Sequence, residues 1–289
     1  MADIFPYLFM SFALGAMFGS LLNVLVLRYG TGISAVFRRS HCLSCGRTLS
    51  PLELLPVFGF LLVRGRCRSC GSRISLPYPL VETLLGAGFL YAAYLATDGF
   101  QYLYADALSP FLFLGAIAFT TLGIAVYDLR HKIIPHAFLI SFLGLCFSYV
   151  MAPFVPQLLN FSITTFEFTQ LRLSLDAGLF LFLPLFFLWY FSNGRLMGLG
   201  DGLIAIGIGW LLGISGGFTA FIVAVWLALA GALLYSAVPY LMRLFRAPSG
   251  LNSPLVPLTM KSEIPFAPFL LTGMLVTHAF ALNFFTPLF

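Results

Sequence analysis

Residues 108–128 read LSPFLFLGAIAFTTLGIAVYD, an apolar run about as long as a bilayer is thick, closed by an acid. A spanning helix needs roughly 20 predominantly apolar residues, and this run supplies them with no charge before Asp128. A second acid, Asp201, follows Gly198-Leu199-Gly200 and opens the apolar stretch that starts at Leu203. An ionised carboxylate at membrane depth is costly, so an acid in such a place points by default to function. Two acids at comparable depth suggest a pair that shares a proton and activates water.

The remainder of the chain has the same character. Its 289 residues are 60% hydrophobic and 9% charged, with Phe the dominant aromatic at 33 copies. Mean hydropathy is +0.99. Soluble domains carry about 25% charged residues, so the fold class is an all-α polytopic membrane protein. Eight apolar runs qualify as spans: 5–27, 78–97, 108–127, 137–159, 177–193, 203–216, 218–242 and 264–288. The sixth is short and rich in glycine.

The net charge of +5 would suggest a nucleic-acid partner in a soluble protein, but here the basic residues sort by loop. Arg28, Arg38, Arg39, Arg47, Arg64, Arg66, Arg68 and Arg73 follow the first run. Arg130 and Lys132 follow the third, Arg195 the fifth, and Arg243, Arg246 and Lys261 the seventh. With eight alternating spans these 14 residues share one side, and only Arg172 falls on the other. By the positive-inside rule the shared side is the cytoplasm. Asp3, Asp98, Asp106, Glu167 and Asp176 then lie outside, while Asp128 and Asp201 both reach the cytoplasmic face. The expected location is therefore a cell membrane, with no nucleic-acid partner.

Three parts follow from this reading: a first span at 1–27, a cytoplasmic cysteine loop at 28–77, and a helical bundle at 78–289. The loop carries Cys42-Leu43-Ser44-Cys45-Gly46 and Cys67-Arg68-Ser69-Cys70-Gly71, a C-x2-C, x21, C-x2-C array. Each pair puts two thiolates on a tight turn, with a following glycine free to adopt a left-handed backbone. Four such sulfurs suit a tetrahedral structural zinc site of Cys42, Cys45, Cys67 and Cys70. The alternatives are two disulfides or four free thiols, and a reducing cytoplasm disfavours lasting disulfides. Between the pairs, residues 52–63 form an apolar insert too short to span. It either lies on the membrane surface or packs under the cysteine turns. Cys146, inside the fourth run, reads as a packing residue.

If Asp128 and Asp201 come within a few ångströms, the pair holds a single proton at neutral pH. The ionised partner then takes a proton from water while the protonated one polarises a carbonyl. Gly198 and Gly200 clear side chains from the approach to Asp201, so backbone or an extended substrate can come close. No nucleophilic Ser, Cys or Lys is needed for such aspartyl-protease chemistry.

In order along the chain, these residues resemble the type IV prepilin leader peptidase family, membrane aspartyl proteases of the G-x-G-D type. Gly19-Ser20-Leu21-Leu22-Asn23-Val24, ending at Arg28, is similar to the family's first span. Both cysteine pairs are similar to its cysteine loop, and Tyr78-Pro79-Leu80-Val81-Glu82 to its entry into the second span. Tyr127-Asp128 with Ile134-Pro135 resembles the first catalytic site, and Gly198-Leu199-Gly200-Asp201 the second. Ile264-Pro265-Phe266-Ala267-Pro268-Phe269 resembles the last span. The resemblance implies cleavage of prepilins and pseudopilins after a short basic leader, at the cytoplasmic face, with Asp128 and Asp201 carrying the proteolysis. Many members also methylate the new N-terminal residue from S-adenosylmethionine, an activity linked with the cysteine-bearing region.

Some positions depart from the family pattern. Arg130 and His136 stand where further acids are common, Leu203 stands where a Lys is usual, and Glu53-Leu54 replaces a polar pair before Leu55-Pro56. Glu82 reads either as a substrate or cofactor contact or as an acid at a helix N-terminus. Asn23 reads as an interhelical hydrogen-bond partner, and His131 and His136 as interfacial loop residues. Other readings of the whole are an inactive homologue that binds pilin-like proteins, and an aspartate-dependent proton or cation transporter.

Overall fold

A computed structural model describes residues 5–31, 40–97, 107–160, 163–245 and 265–282, with side chains to residue 234 in the fourth stretch. Asp3, Arg38, Arg39, Asp98, Asp106, Arg246, Lys261 and Ile264 lie outside the described residues. Within them every regular element is helical: α1 (Phe5–Arg28), α2 (Phe58–Leu62), α3 (Pro77–Ala96), α4 (Leu108–His131), α5 (His136–Met151), α6 (Val155–Leu159), α7 (Thr165–Ser192), α8 (Leu199–Phe245) and α9 (Ala267–Ala279). Among the described residues six stretches are long and apolar enough to cross a membrane, the fourth of them being α5 and α6 taken together as His136–Leu159. The chain is an all-helical multi-pass protein, and it packs as two compact units, Met1–Val126 and Tyr127–Phe289.

In the first unit α1 packs on α3 through small residues. Gly15, Ala16, Gly19, Leu22, Asn23 and Val26 form the buried stripe of α1, at the helical spacing of one face. A β-carbon on Gly15 would lie 2.6 Å from the Leu85 carbonyl oxygen, and one on Gly19 2.7 Å from Cα of Glu82. Lipid offers no hydrophobic drive for helices to pair, so close van der Waals approach at small residues does the work. Asn23 fulfils its expected role, its side-chain amide donating to the Tyr78 carbonyl at 3.1 Å.

In the second unit α7 begins at Thr165, twelve residues ahead of the expected span at 177. The polar letters Glu167, Gln170, Arg172 and Asp176 hid this extension from hydropathy. Glu167 closes a capping box with Thr164, accepting from the Thr164 backbone N–H at 2.8 Å, and Arg172 pairs with Asp176 one turn on at 3.4 Å. At 1.5 Å per residue the 28-residue helix is about 42 Å long. That exceeds a hydrocarbon core of about 30 Å, so the helix is long enough for its polar first turns to extend past the apolar layer.

The runs at 203–216 and 218–242 belong to one helical stretch, α8, broken at Gly213, whose backbone sits at φ 70°, ψ −175°. The packing partners on α7 show that the chain doubles back there. Gly202 faces Phe182 and Leu185, Gly209 faces Ala177, and Gly217 has returned to Leu181. Leu181, Leu185 and Ala205 form a core cluster that Met197, Phe218 and Phe221 close. The two expected spans are therefore the arms of a hairpin. α9 lies within the expected eighth span, 264–288, of which residues 264 and 283–288 fall outside the described set.

Candidate active site and cysteine module

Asp128 lies in the last turn of α4, which runs on to His131 rather than ending at the acid. The helix stops because Lys132 turns left-handed, at φ 56°, and its N–H donates to the Asp128 carbonyl at 2.8 Å. Asp201 lies at the opposite kind of helix end, in the first turn of α8. Both side chains are buried, with 5% and 8% of their surface exposed.

Each carboxylate lies beside a helix N-terminus, where backbone N–H groups lack partners and the dipole favours negative charge. Asp201 reaches back to the N–H of Gly198, just ahead of its own helix. The Asp128 carboxylate lies close to the N–H of Ala267, the first residue of α9. The two acids are close enough for direct electrostatic repulsion. Sequence reasoning found both acids but missed the Ala267 donor, because a backbone group carries no letter of its own. The Ile264–Phe269 string marked the place without disclosing the contact.

Gly200 has a specific neighbour. A β-carbon there would sit 2.7 Å from Cδ1 of Ile134, so the missing side chain admits Ile134 from the α4–α5 turn and seats that turn beside the second acid. A β-carbon on Gly198 would lie 3.5 Å from Oδ2 of Asp201, in ordinary contact. His131 stacks on Tyr127 with ring centroids 4.2 Å apart, and both His131 and His136 are exposed, as interfacial residues are.

The four cysteines of the first unit also come together. The Sγ atoms of Cys42, Cys45, Cys67 and Cys70 all lie within 4.8 Å of one another, with Cys42 and Cys70 at 3.9 Å. Tetrahedral zinc with bonds of about 2.3 Å sets its sulfurs about 3.8 Å apart, so the donor set fits a metal such as zinc, and none of the four is in a disulfide. The two turns are copies of each other. Gly46 N–H donates to the Cys42 carbonyl at 2.9 Å and Gly71 N–H to Cys67 at 2.9 Å, with Gly46 and Gly71 left-handed as expected. Single antiparallel bridges, His41 with Thr48 and Arg66 with Arg73, close them. Backbone N–H groups of Cys45 and Ser44 aim at the Cys42 sulfur and lower its thiol to about 6, whereas the Arg47 N–H near Cys45 is outweighed by burial and the neighbouring sulfurs, which push that thiol up to about 11. Metal ligation needs the thiolate form.

Glu53 joins the two turns. One oxygen accepts from the Ser50 backbone N–H at 2.9 Å and the Ser50 hydroxyl at 3.0 Å. The other meets Arg47 of the first turn at 2.6 Å and Arg68 of the second at 3.7 Å. The Ser50 N–H and then the Arg47 guanidinium hold its carboxyl down at about 2. Glu82, also in the first unit, accepts the Val57 N–H at 2.7 Å. It is the sixth residue of α3 rather than a member of its first turn, which has no acid, so the helix-dipole reading of Glu82 does not hold.

Fold and site together define a class: helical membrane proteins with a buried acid pair and a separate four-cysteine module. A model of the bacterial peptidase A24 N-terminal domain matches residues 13–96, covering α1, the cysteine module and α3. A prepilin leader peptidase/N-methyltransferase of Bacillus subtilis is 30% identical over 271 residues, 93% of this chain and 92% of that protein. Similar proteins of the same description from Myxococcus xanthus (31% over 231 residues, 78% of this chain) and Klebsiella pneumoniae (38% over 103 residues, 33% of this chain) are spanned for 59% and 45% of their own lengths. No solved structure matches. The chain belongs to the prepilin leader peptidase/N-methyltransferase family.

Proposed function

We propose that this chain is a membrane aspartyl endopeptidase that cleaves the leader peptides of type IV prepilins and pseudopilins, and that it then methylates the new N-terminal residue. The observation that carries the reading is the buried pair, Asp128 and Asp201, each beside a backbone N–H at a helix start. Two crowded carboxylates share one proton. The ionised member takes a proton from water, which attacks the scissile carbonyl, while the protonated member donates to the carbonyl oxygen. Collapse of the tetrahedral species returns a proton to the leaving amine. Gly198 and Gly200 supply the backbone approach to Asp201, and the loss of side chains there lets the α4–α5 turn close over it. The membrane boundary suits a substrate whose leader is polar and whose mature N-terminus is apolar, and the charge sorting of the loops supports a cytoplasm-facing site in the bacterial inner membrane.

Residues 28–77 form, on this reading, the methyltransferase-associated region, and 78–289 the peptidase bundle. Cys42, Cys45, Cys67 and Cys70 would hold structural Zn2+, which when bound would offset half the charge of the four thiolates and tie the two turns together. S-adenosylmethionine would be the methyl donor, with Glu82 a candidate contact for substrate or donor.

The test is cleavage of a model prepilin by the purified chain, alongside Asp128→Asn and Asp201→Asn, read by mass spectrometry with and without S-adenosylmethionine. Each Asn keeps the shape and removes the proton chemistry, so cleavage should fall by at least about 10²-fold to 10⁴-fold in either variant. A methyl-sized mass gain on the mature product should appear only with the donor. Cleavage that survives in either variant would remove that acid from the mechanism.

A further inference from the structure

The insert between the two cysteine turns presents its large apolar side chains outward. Leu52, Leu54, Leu55, Phe58, Leu61 and Leu62 are each 41–61% exposed, although they lie outside every candidate span. Contiguous exposed apolar surface of this kind marks an interaction site.

Two observations fix where this surface lies. First, Val57 is tied to a membrane span: its N–H donates to Oε2 of Glu82 at 2.7 Å. Glu82 is five residues beyond Pro77, the start of the α3 span, hence about 7.5 Å along its axis. Interfacial helices bury their apolar face about 5–10 Å into the headgroup and acyl boundary. Second, the tie holds a strained turn. Val57 has φ 62° and ψ −52°, and Phe58 N–H bonds back to the Pro56 carbonyl at 2.6 Å, which is a γ-turn that a β-branched residue rarely adopts. Such strain persists only where surroundings enforce it. Here the turn redirects the chain so that Phe58, Leu61 and Leu62 are carried on α2 beside the span. Arg64, Arg66, Arg68 and Arg73 follow directly and are exposed, the charge that anionic headgroups attract.

We propose that residues 52–62 are an interfacial anchor, seated in the headgroup and acyl boundary of an anionic leaflet of the protein's own bilayer, with its depth set by the hydrogen bond from Val57 to Glu82. The cysteine module is thereby held down on the membrane rather than standing off in solution. Glu82 acts here as a positioning residue.

The experiment uses the full chain with Trp189, Trp210 and Trp226 replaced by Phe and a single reporter, F58W, reconstituted into phosphatidylcholine vesicles with and without phosphatidylglycerol. L61W in the same background is the second reporter. Lipids brominated near the top of the acyl chains should quench the reporter, aqueous iodide should not, and phosphatidylglycerol should deepen the bromine quenching. Glu82→Leu, which cannot accept the Val57 N–H, should shift the balance toward iodide, while Glu82→Gln, whose amide oxygen still accepts, should not. Quenching by iodide alone would place the insert in water and overturn the anchor. Protection from both quenchers would place it against protein and overturn it too, as would bromine quenching that appears only after a prepilin-like apolar peptide is added. Equal quenching in both lipid compositions would overturn the anionic leaflet.

Discussion

At the residue scale, the acid pair depends on groups that are not acids. The Ala267 N–H lies beside the Asp128 carboxylate and the Gly198 N–H beside that of Asp201, so the pair sits against the starts of two helices. Gly200 works through Ile134. Gly200→Ala would bring its β-carbon 2.7 Å from Cδ1 of Ile134, the mobile end of a side chain, and overpacking of this mild kind costs about 1 kcal/mol. Cleavage should fall several-fold in G200A and recover when I134V removes that Cδ1, with a coupling of at least about 0.5 kcal/mol between the two sites. Absence of coupling would mean that Gly200 serves substrate rather than the turn. Glu53 carries a pH prediction. Its carboxyl is lowered to about 2 in the folded module, against about 4.3 for a free Glu. A lowered acid stabilises above the unfolded value and loses that contribution as pH falls through the folded one. The protection of residues 40–74 from hydrogen exchange should exceed that of Glu53→Gln by a constant margin down to about pH 5. The margin should shrink between about pH 4 and pH 2. A margin that vanishes at neutral pH would remove the ion pairs with Arg47 and Arg68 as its cause.

At the element scale, α8 shows how a single dihedral sets topology. Its candidate span covers 36 residues, about 54 Å of helix, which is far more than one crossing of a core about 30 Å thick needs. Gly213 resolves the excess by turning the chain back onto α7. Its φ of 70° with ψ near 180° belongs to a region that is essentially glycine's alone. Gly213→Ala should cost roughly 1–3 kcal/mol, read as a lower melting temperature in detergent, with no direct contact to either acid to explain lost activity. An unchanged melting temperature would show that the hairpin tolerates another backbone there. In the sequence this hairpin appeared as two weakly separated apolar runs, 203–216 and 218–242, with Gly213 near the end of the first rather than between them. The runs were readable because burial in lipid demands apolar letters. The start of α7 was not, because its first turns are polar and are held by capping and an ion pair instead.

At the scale of the whole molecule, the count of crossings decides where each loop lies. With α5–α6 as one crossing and α7 as the next, the end of α4, which carries Asp128, and the turn after α7, which leads to Asp201, share a side. The segment between α6 and α7 lies on the other. A membrane-impermeant thiol reagent applied to intact cells should label Asn160→Cys, just beyond the span and exposed, and leave Asn193→Cys unlabelled until the membrane is broken. The opposite pattern would invert the molecule and put the acid pair outside. The same sidedness bears on the cysteines, since four free thiols within 4.8 Å of one another suit metal in a reducing compartment and would be at risk of oxidation outside it.

The sequence by itself determined the class of the fold and the charge sorting, and it singled out the two acids and the four metal-suited cysteines as candidates. Each of these rests on the chemistry of a side chain or on the length of an apolar run, and both are written in the letters. Only the tertiary structure decided what holds them. The Ala267 N–H under Asp128, the Ile134 side chain over Gly200, Glu53 across both cysteine turns and Glu82 under the Val57 turn are contacts between residues distant in sequence or through backbone groups. Every residue but proline carries the same N–H, and which one meets a carboxylate is settled by how the helices pack.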